Sequence, residues 1–201
     1  MLSLIGVDHR VQAKPKGSEL SEEQRRFSHC LTTAIKGIKP VLVAEEYSEE
    51  ALRMCAKRTG IEHESVTRLL SQSLEVEHRF CDPEADARRE MEYVEGWQIA
   101  IGLDPTGLSN QELNDKGLAL EIAEQWPKRE RFWLDRIGLQ EKENVVFVVG
   151  QGHIDTFRNL LGENGIESEV LALGIGVRPE DDDEERLRRA KAYLEAHPEL
   201  L

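Results

Sequence analysis

Short apolar runs alternate with amphipathic stretches along this chain, and the alternation predicts an α/β fold. Apolar residues fill the runs at 2–8, 41–44 and 145–149, and strands are also predicted at 76–80 and 166–173. Continuous apolar runs of this kind suit strands of a parallel sheet covered on both faces. Between the runs, residues such as Phe27, Leu31 and Ile38 recur at helical spacing. We therefore expect one α/β domain over residues 1–201, with a mixed, mostly parallel central sheet and helices on both faces.

Local signals place several helix ends and one irregular segment. Ser21 and Gln24 fit a capping box, which predicts a helix from residue 21. Pro127 predicts a break in the helical pattern that starts near residue 110. The segment 92–110, rich in glycine and proline, is predicted to be a lid or a loop over a site. Residues 180–201 begin acidic and continue basic, which matches the helix dipole and predicts a solvated C-terminal helix.

Composition narrows the classes of function. The chain has 201 residues, of which 32% are charged and 39% hydrophobic, as in ordinary soluble proteins. A net charge of −13 disfavours nucleic acid or an anionic membrane as the main partner. The N-terminus has no basic segment or cleavage site typical of an export signal. Three cysteines without metal-ligand spacing favour a reduced, cytoplasmic setting.

The pattern Gly-x-x-His occurs twice, each time at the end of an apolar run. The first copy is Gly6-Val7-Asp8-His9 and the second is Gly150-Gln151-Gly152-His153. The carboxyl ends of neighbouring parallel strands gather the site residues of an open α/β sheet. We therefore expect His9 and His153 to lie in one pocket although they are far apart in sequence.

Carboxylates follow two other predicted strands. Glu45 and Glu46 come directly after one, and Asp82 comes after another. Two neutral imidazoles with one or two carboxylates suit a divalent transition metal such as Mn, Co or Zn, which activates water for hydrolysis. Without a metal, a histidine and a carboxylate still provide a general base and its orienting group.

A purely structural role is an alternative for each of these residues. His9 also suits a polar loop residue, and His153 also suits a helix start. One of Glu45 and Glu46 is expected to be solvated. Asp82 before a proline is equally a good helix N-cap.

Charged residues on two predicted helices are further candidates. Arg88 and Arg89 are either surface charges or binding groups for a carboxylate or phosphate. Glu130 and Arg131 lie on a predicted helix before the strand at 145–149. They are either part of a solvated charged face, or one of them lies at the site.

With these residues together, the chain resembles the TraB/PrgY and Tiki superfamily, which includes ChaN-like haem-binding proteins and erythromycin-esterase-like enzymes. The resemblance rests on short motifs within residues 2–173: Gly6–His9, Glu45 or Glu46, Arg129-Glu130 and Gly150–His153. It implies a mixed α/β fold of the EreA/ChaN type and a metal-dependent hydrolase, peptidase-like in the Tiki branch. The Asp8 before the first histidine and the segment from His78 to Asp82 depart from that pattern.

The leading hypothesis is a metal-dependent hydrolase of a small molecule or peptide. Its assigned residues are His9, Glu45 and His153 for the metal, Glu130, Glu46 and Arg129 for catalysis, and Arg88, Arg89 and Asp82 for binding a cofactor. Arg88 or Arg129 is expected to orient an anionic group of the substrate. Three alternatives stay open: a haem-binding or other small-ligand module without turnover, a metal-free esterase-like enzyme, and a regulatory protein whose acidic surface engages a partner. Oligomerisation is left open by the sequence.

Overall fold

The computed structural model describes residues 1–139, 143–178 and 183–200. Within them, five parallel strands form the central sheet in the order β5-β3-β6-β1-β7. These strands are β1 (Leu2–Val7), β3 (Leu42–Glu45), β5 (Glu77–Phe80), β6 (Val145–Gly150) and β7 (Ser168–Ile175). The predicted α/β class, with a parallel central sheet flanked by helices, is confirmed.

The helices and a small two-stranded antiparallel sheet complete the fold. The helices are α1 (Glu22–Ile38), α2 (Glu49–Thr59), α3 (Val66–Ser73), α4 (Ala85–Glu90), α5 (Gly96–Gly102), α6 (Asn110–Leu120), α7 (Trp126–Ile137), α8 (Ile154–Glu163) and α9 (Asp183–Ala196). The strands β2 (Ala13–Pro15) and β4 (His63–Ser65) pair antiparallel outside the main sheet. In the part of the chain that the structure describes, no helix is long and apolar enough to cross a membrane.

Alternate residues of the central strands feed two cores. One core joins the sheet to α1 and α3 through residues that include Ile5, Val43, Val146, Val148, Phe27 and Leu31. The other joins the opposite face to α7 and α8 through residues that include Leu4, Ala44, Phe147, Trp133 and Phe157. Because both faces are covered, β1 and β6 are buried at every position.

The topology creates a crevice between β1 and β6. The chain leaves β1 towards α1, on one face, and leaves β6 towards α8, on the other. Where the connections of adjacent strands diverge, an open sheet leaves a cleft at its carboxyl edge. His9 follows β1 in a 3₁₀ turn and His153 follows β6 in another, so both lie at this edge.

One local prediction is confirmed and another is corrected. The predicted capping box of Ser21 and Gln24 is present at the start of α1. The helical stretch that begins at Asn110, however, is not broken at Pro127. A π-helical turn, Glu121–Gln125, joins α6 to α7, and the Trp126 amide donates to Glu121 O. Proline then falls in the first turn of α7, where its missing N–H costs little.

Two other predicted segments are observed in part. The segment 92–110 contains the helix α5, so it is a loop only in part. The C-terminal helix predicted over 180–201 is observed as α9 and a short 3₁₀ turn, Pro198–Leu200, while residues 179–182 and 201 lie outside the described residues.

Candidate active site

The two strand-end histidines meet at one carboxylate oxygen. His9 Nε2 lies 3.5 Å from Glu46 Oε1, and His153 Nε2 lies 3.9 Å from the same atom. Glu46 comes directly after β3, which is the neighbour of β6 in the sheet. The carboxyl ends of three strands therefore supply one polar cluster, as expected from the positions of these residues in the sequence.

Glu46 is buried and its two oxygens have different surroundings. The Gly150 amide donates to Oε2 at 2.7 Å. Arg129 Nη2 lies 2.9 Å from Oε1, but no donor among the described residues is aligned with Oε1 for a hydrogen bond. Burial alone would raise the pKa of Glu46. The positive charges of Arg129 and His9 outweigh it and hold this pKa well below its usual range.

The first glycine of each motif lies where a Cβ would crowd a neighbour, and Gly150 permits the close approach of His9 to Glu46. A Cβ on Gly150 would lie 2.8 Å from His9 Nε2 and 3.1 Å from Glu46 Oε2. A Cβ on Gly6 would lie 2.8 Å from Leu173 Cδ2. A side chain at position 150 would therefore displace His9 from the site.

Each imidazole is held on its outer side by a fixed partner. His9 Nδ1 lies 2.7 Å from Gln12 Oε1, and the Gln12 amide nitrogen donates to Glu45 at 3.1 Å. Since the amide nitrogen is used by Glu45, the amide oxygen accepts the proton on His9 Nδ1. His153 Nδ1 lies 2.9 Å from buried Glu130 Oε1. A carboxylate only accepts hydrogen bonds, so His153 Nδ1 carries a proton, and in the neutral form of the ring the lone pair is on Nε2.

Glu45, assigned to the metal from the sequence, does not reach the two imidazoles. Its carboxylate accepts hydrogen bonds from Gln12, from Ser65 at 2.5 Å and from His78 Nε2 at 2.7 Å. The cause is strand alternation, because Glu45 shares the face of Val43, towards α1 and α3. Glu46 is the carboxylate at the site, and Glu45 acts on His9 only through Gln12.

Asp82 is part of a charged network behind Glu46 and is not an N-cap. The helix α4 begins at Ala85 after Glu84. Asp82 accepts from Arg129 Nε at 2.7 Å and from Arg88 Nη2 at 2.9 Å. Arg129 therefore bridges two buried carboxylates, and Arg88 holds the outer one.

The two candidate arginines of α4 have different positions. Arg88 is held by Asp82 and by Glu95 at 2.8 Å, so its charge is compensated within the protein. Arg89 is 77% exposed and pairs only with exposed Asp86 among the described residues. The structure therefore does not bring Arg89 to the cluster.

His9 is the one half-exposed member of the cluster, with 48% of its side chain accessible. Burial of its inner edge lowers its pKa. The negative charge of Glu46 and the hydrogen bond from Nδ1 to Gln12 outweigh this effect and raise the pKa from 6.5 to about 9. At neutral pH His9 is therefore an imidazolium that faces solvent on one side.

This shift predicts a pH-dependent contribution to stability. Because the pKa is higher in the folded state, the His9 charge stabilises the fold fully below pH 6.5, and the stabilisation disappears as the pH rises through about 9. Urea unfolding of the wild type and His9→Asn should therefore differ more at pH 6 than at pH 9.5. His29→Asn, which removes an exposed histidine, is the matched control. A difference that is equal at both pH values would contradict the charged state of His9.

A cleft of about 390 Å³ opens over the two histidines. The side chain of Trp126 forms part of its wall and contacts the His153 ring, with ring centroids 3.8 Å apart. Leu118, Val177 and Leu187 add apolar surface. The site therefore combines ionisable groups with apolar walls, as small-molecule sites do.

The cluster fits a metal ion only in part. Among residues 1–139, 143–178 and 183–200, no group of three or more His, Cys, Asp or Glu side chains has the arrangement of a metal site. The two imidazole nitrogens lie 3.5 and 3.9 Å from Glu46 Oε1, against about 3.4 Å between ligands of tetrahedral zinc. Arg129 already supplies a positive charge to this oxygen. The donor types fit a transition metal, but the position next to the carboxylate is shared with a guanidinium.

Sequence reasoning missed Gln12, Trp126 and Thr156. Gln12 stands three residues after His9, the spacing that brings side chains together in a 3₁₀ turn. Thr156, three residues after His153, donates to Glu130 at 2.5 Å. That spacing from each histidine is the signal that points to both residues. Nothing in the sequence pattern singles out Trp126.

Comparisons with known proteins find no relative of this chain. No protein-family model matches the chain, and no curated protein and no solved structure is significantly similar to it.

Proposed function

We propose that this protein is a hydrolase of small molecules in which His153 activates water without a metal. One observation carries the proposal: His153 lines the cleft and is oriented by buried Glu130 through Nδ1, and its Nε2 lies 3.9 Å from Glu46 Oε1. A histidine held in one tautomer by a carboxylate is the usual arrangement of a general base. The size of the cleft favours a small molecule over a folded protein as substrate.

The reaction is hydrolysis of an ester or a similar acyl bond. His153 Nε2 takes a proton from water, and the water oxygen forms a bond to the acyl carbon. The bond from that carbon to the leaving oxygen then breaks, and the leaving oxygen takes the proton from His153 Nε2. The products are an acid and an alcohol, and the histidine returns to its starting state.

His9 stabilises the negative charge that develops on the acyl oxygen. It is a cation at neutral pH, it lines the cleft and part of its ring is exposed. Its contact with Glu46, at 3.5 Å, is longer than a strong hydrogen bond. A substrate oxygen therefore competes for the Nε2 proton at little cost.

Arg129 and Glu46 are positioning residues. Arg129 is 15% exposed and both its Nε and Nη2 face carboxylates. Its charge is neutralised by Glu46 and Asp82, so Arg129 positions Glu46 and does not bind the substrate. Glu46 in turn keeps His9 charged and faces the base.

A divalent transition metal is the second candidate, for one specific reason. Glu46 Oε1 is buried, no donor of residues 1–139, 143–178 or 183–200 is aligned with it, and it lies 3.5 and 3.9 Å from the two Nε2 atoms. In that case His9, Glu46 and His153 would hold the ion, with Gln12 and Glu130 orienting the two imidazoles. The ion would supply Lewis acidity and lower the pKa of water.

Chelation separates the two candidates. Purified protein should hydrolyse 4-nitrophenyl esters of short acids, and turnover should be unchanged after exhaustive dialysis against EDTA and 1,10-phenanthroline. Loss of turnover on chelation, with recovery on adding Mn²⁺, Co²⁺ or Zn²⁺, would favour the metal site instead. Absence of turnover on esters and amides, with and without these ions, would contradict a hydrolase. The same assay on His29→Asn controls for loss of an exposed histidine.

A further inference from the structure

Arg186 lines the same cleft as the two histidines and has no part in the chemistry proposed above. It lies on α9, a helix whose sequence alone indicates a solvated charged surface. The geometry points to Arg186 as the residue that selects the substrate: a small apolar molecule that carries one negative charge. This inference rests on the proposed function, because it names the substrate class of that site.

The first argument is the missing partner of Arg186. Most arginines near the site have their charge compensated, as Arg88 and Arg129 do through Asp82. Within the described residues, by contrast, no carboxylate lies within ion-pair distance of Arg186. The acidic residue of the cleft, Asp8, pairs with Arg10 at 2.6 Å. A half-buried guanidinium is suited to bind an anion from outside when the acidic residue of its cleft already pairs with another arginine.

The second argument is the charge of the rest of the protein. The chain carries −13, so an anion is repelled from most of its surface. Inside the cleft, Arg186 adds a positive charge to the lining, and no carboxylate of the described residues lies within ion-pair distance of it. An unpaired cation in a cleft of an acidic protein favours a negatively charged ligand at that position.

The third argument is the apolar part of the lining. Leu118, Trp126, Val177 and Leu187 surround the charged groups. Burial of these surfaces by a fully hydrated ion would gain little, whereas an aliphatic or aromatic ligand replaces water along them. A cleft of about 390 Å³ lies at the small end of ligand sites, so the substrate is a compact apolar acid ester or amide.

Binding of two naphthalene probes tests the inference without any need for turnover. 1-Anilinonaphthalene-8-sulfonate is anionic, and N-phenyl-1-naphthylamine has a nearly identical apolar body without the charge. Arg186→Gln should weaken binding of the anionic probe about tenfold and leave that of the neutral probe within about twofold. The matched control Arg158→Gln removes an exposed cation of α8 that does not line the cleft, and should leave both affinities unchanged. Equal effects of Arg186→Gln on the two probes, or an equal loss in Arg158→Gln, would overturn the inference.

A third variant locates the probes. A Cβ at position 152 would lie 3.4 Å from Leu187 Cδ2 and 3.5 Å from Trp126 Cη2, so Gly152→Leu fills space between two walls of the cleft. Both probes should bind at least about tenfold more weakly to this variant. Unchanged binding of both would show that they bind elsewhere and would count against the inference.

Turnover measurements separate failure of the inference from failure of the proposed function. If the protein hydrolyses 4-nitrophenyl hemisuccinate and 4-nitrophenyl butyrate, Arg186→Gln should raise KM for the first about tenfold and leave kcat and the neutral ester unchanged. Charge-selective probe binding without turnover would support the anion-binding role of Arg186 and contradict the proposed hydrolase function. Turnover with equal preference for both esters would support the proposed hydrolase function and contradict the role of Arg186.

Discussion

Replacing Arg129 by methionine is expected to lower the free energy of unfolding by about 3–5 kcal/mol, because it leaves two buried carboxylates without their cation. Glu46 is fully buried and Asp82 is 7% exposed, and Arg129 contacts both, at 2.9 and 2.7 Å. Methionine keeps most of the apolar stem, so the loss reports the charge more than the packing. Urea unfolding at pH 7 measures the change.

The same helix offers a matched control for this substitution. Arg131 is exposed, and Arg131→Met should change the free energy of unfolding by less than about 0.5 kcal/mol. Adding Glu46→Gln and Asp82→Asn to Arg129→Met should recover part of the loss, since the carboxylates no longer need a cation. A loss in Arg129→Met no larger than in Arg131→Met would show that the network contributes little to stability.

The continuous apolar strands were the part of the fold that sequence could predict best. The runs of β1 and β6 are buried on both faces, so their length and composition alone define them. The edge strands are less well defined: β5 has the sequence Glu-His-Arg-Phe, and β7 was expected two residues earlier than it lies. The two-stranded sheet of β2 and β4 is not predicted, because three-residue strands that depend on tertiary contacts carry no periodic signal.

The candidate site was predictable in its histidines but not in its carboxylate. Two strands that end in Gly-x-x-His place His9 and His153 at one sheet edge when the strands are parallel neighbours, as β1 and β6 are. The choice between Glu45 and Glu46 depends on where β3 ends, and a shift of one residue moves a side chain to the opposite face. Arg186 was not predicted at all, because its contribution to the cleft depends on how α9 packs, which the charge pattern of that helix does not encode.

The largest effect on activity is expected at His153. His153→Gln removes the base but keeps a polar side chain of similar length beside Trp126 and Glu130. Turnover of 4-nitrophenyl esters should therefore fall about 10²–10⁴-fold, mainly in kcat, while the variant stays folded.

Two comparisons decide whether this loss reports acid–base chemistry. Glu130→Gln leaves His153 in place but removes the charge behind it, so kcat should fall less than in His153→Gln and the pH profile of kcat should shift. His29→Gln removes an exposed histidine and should leave kcat unchanged. If His153→Gln retains most of the wild-type kcat, then the base lies elsewhere, and the convergence of the two strand-end histidines on Glu46 serves the stability of the sheet edge and not catalysis.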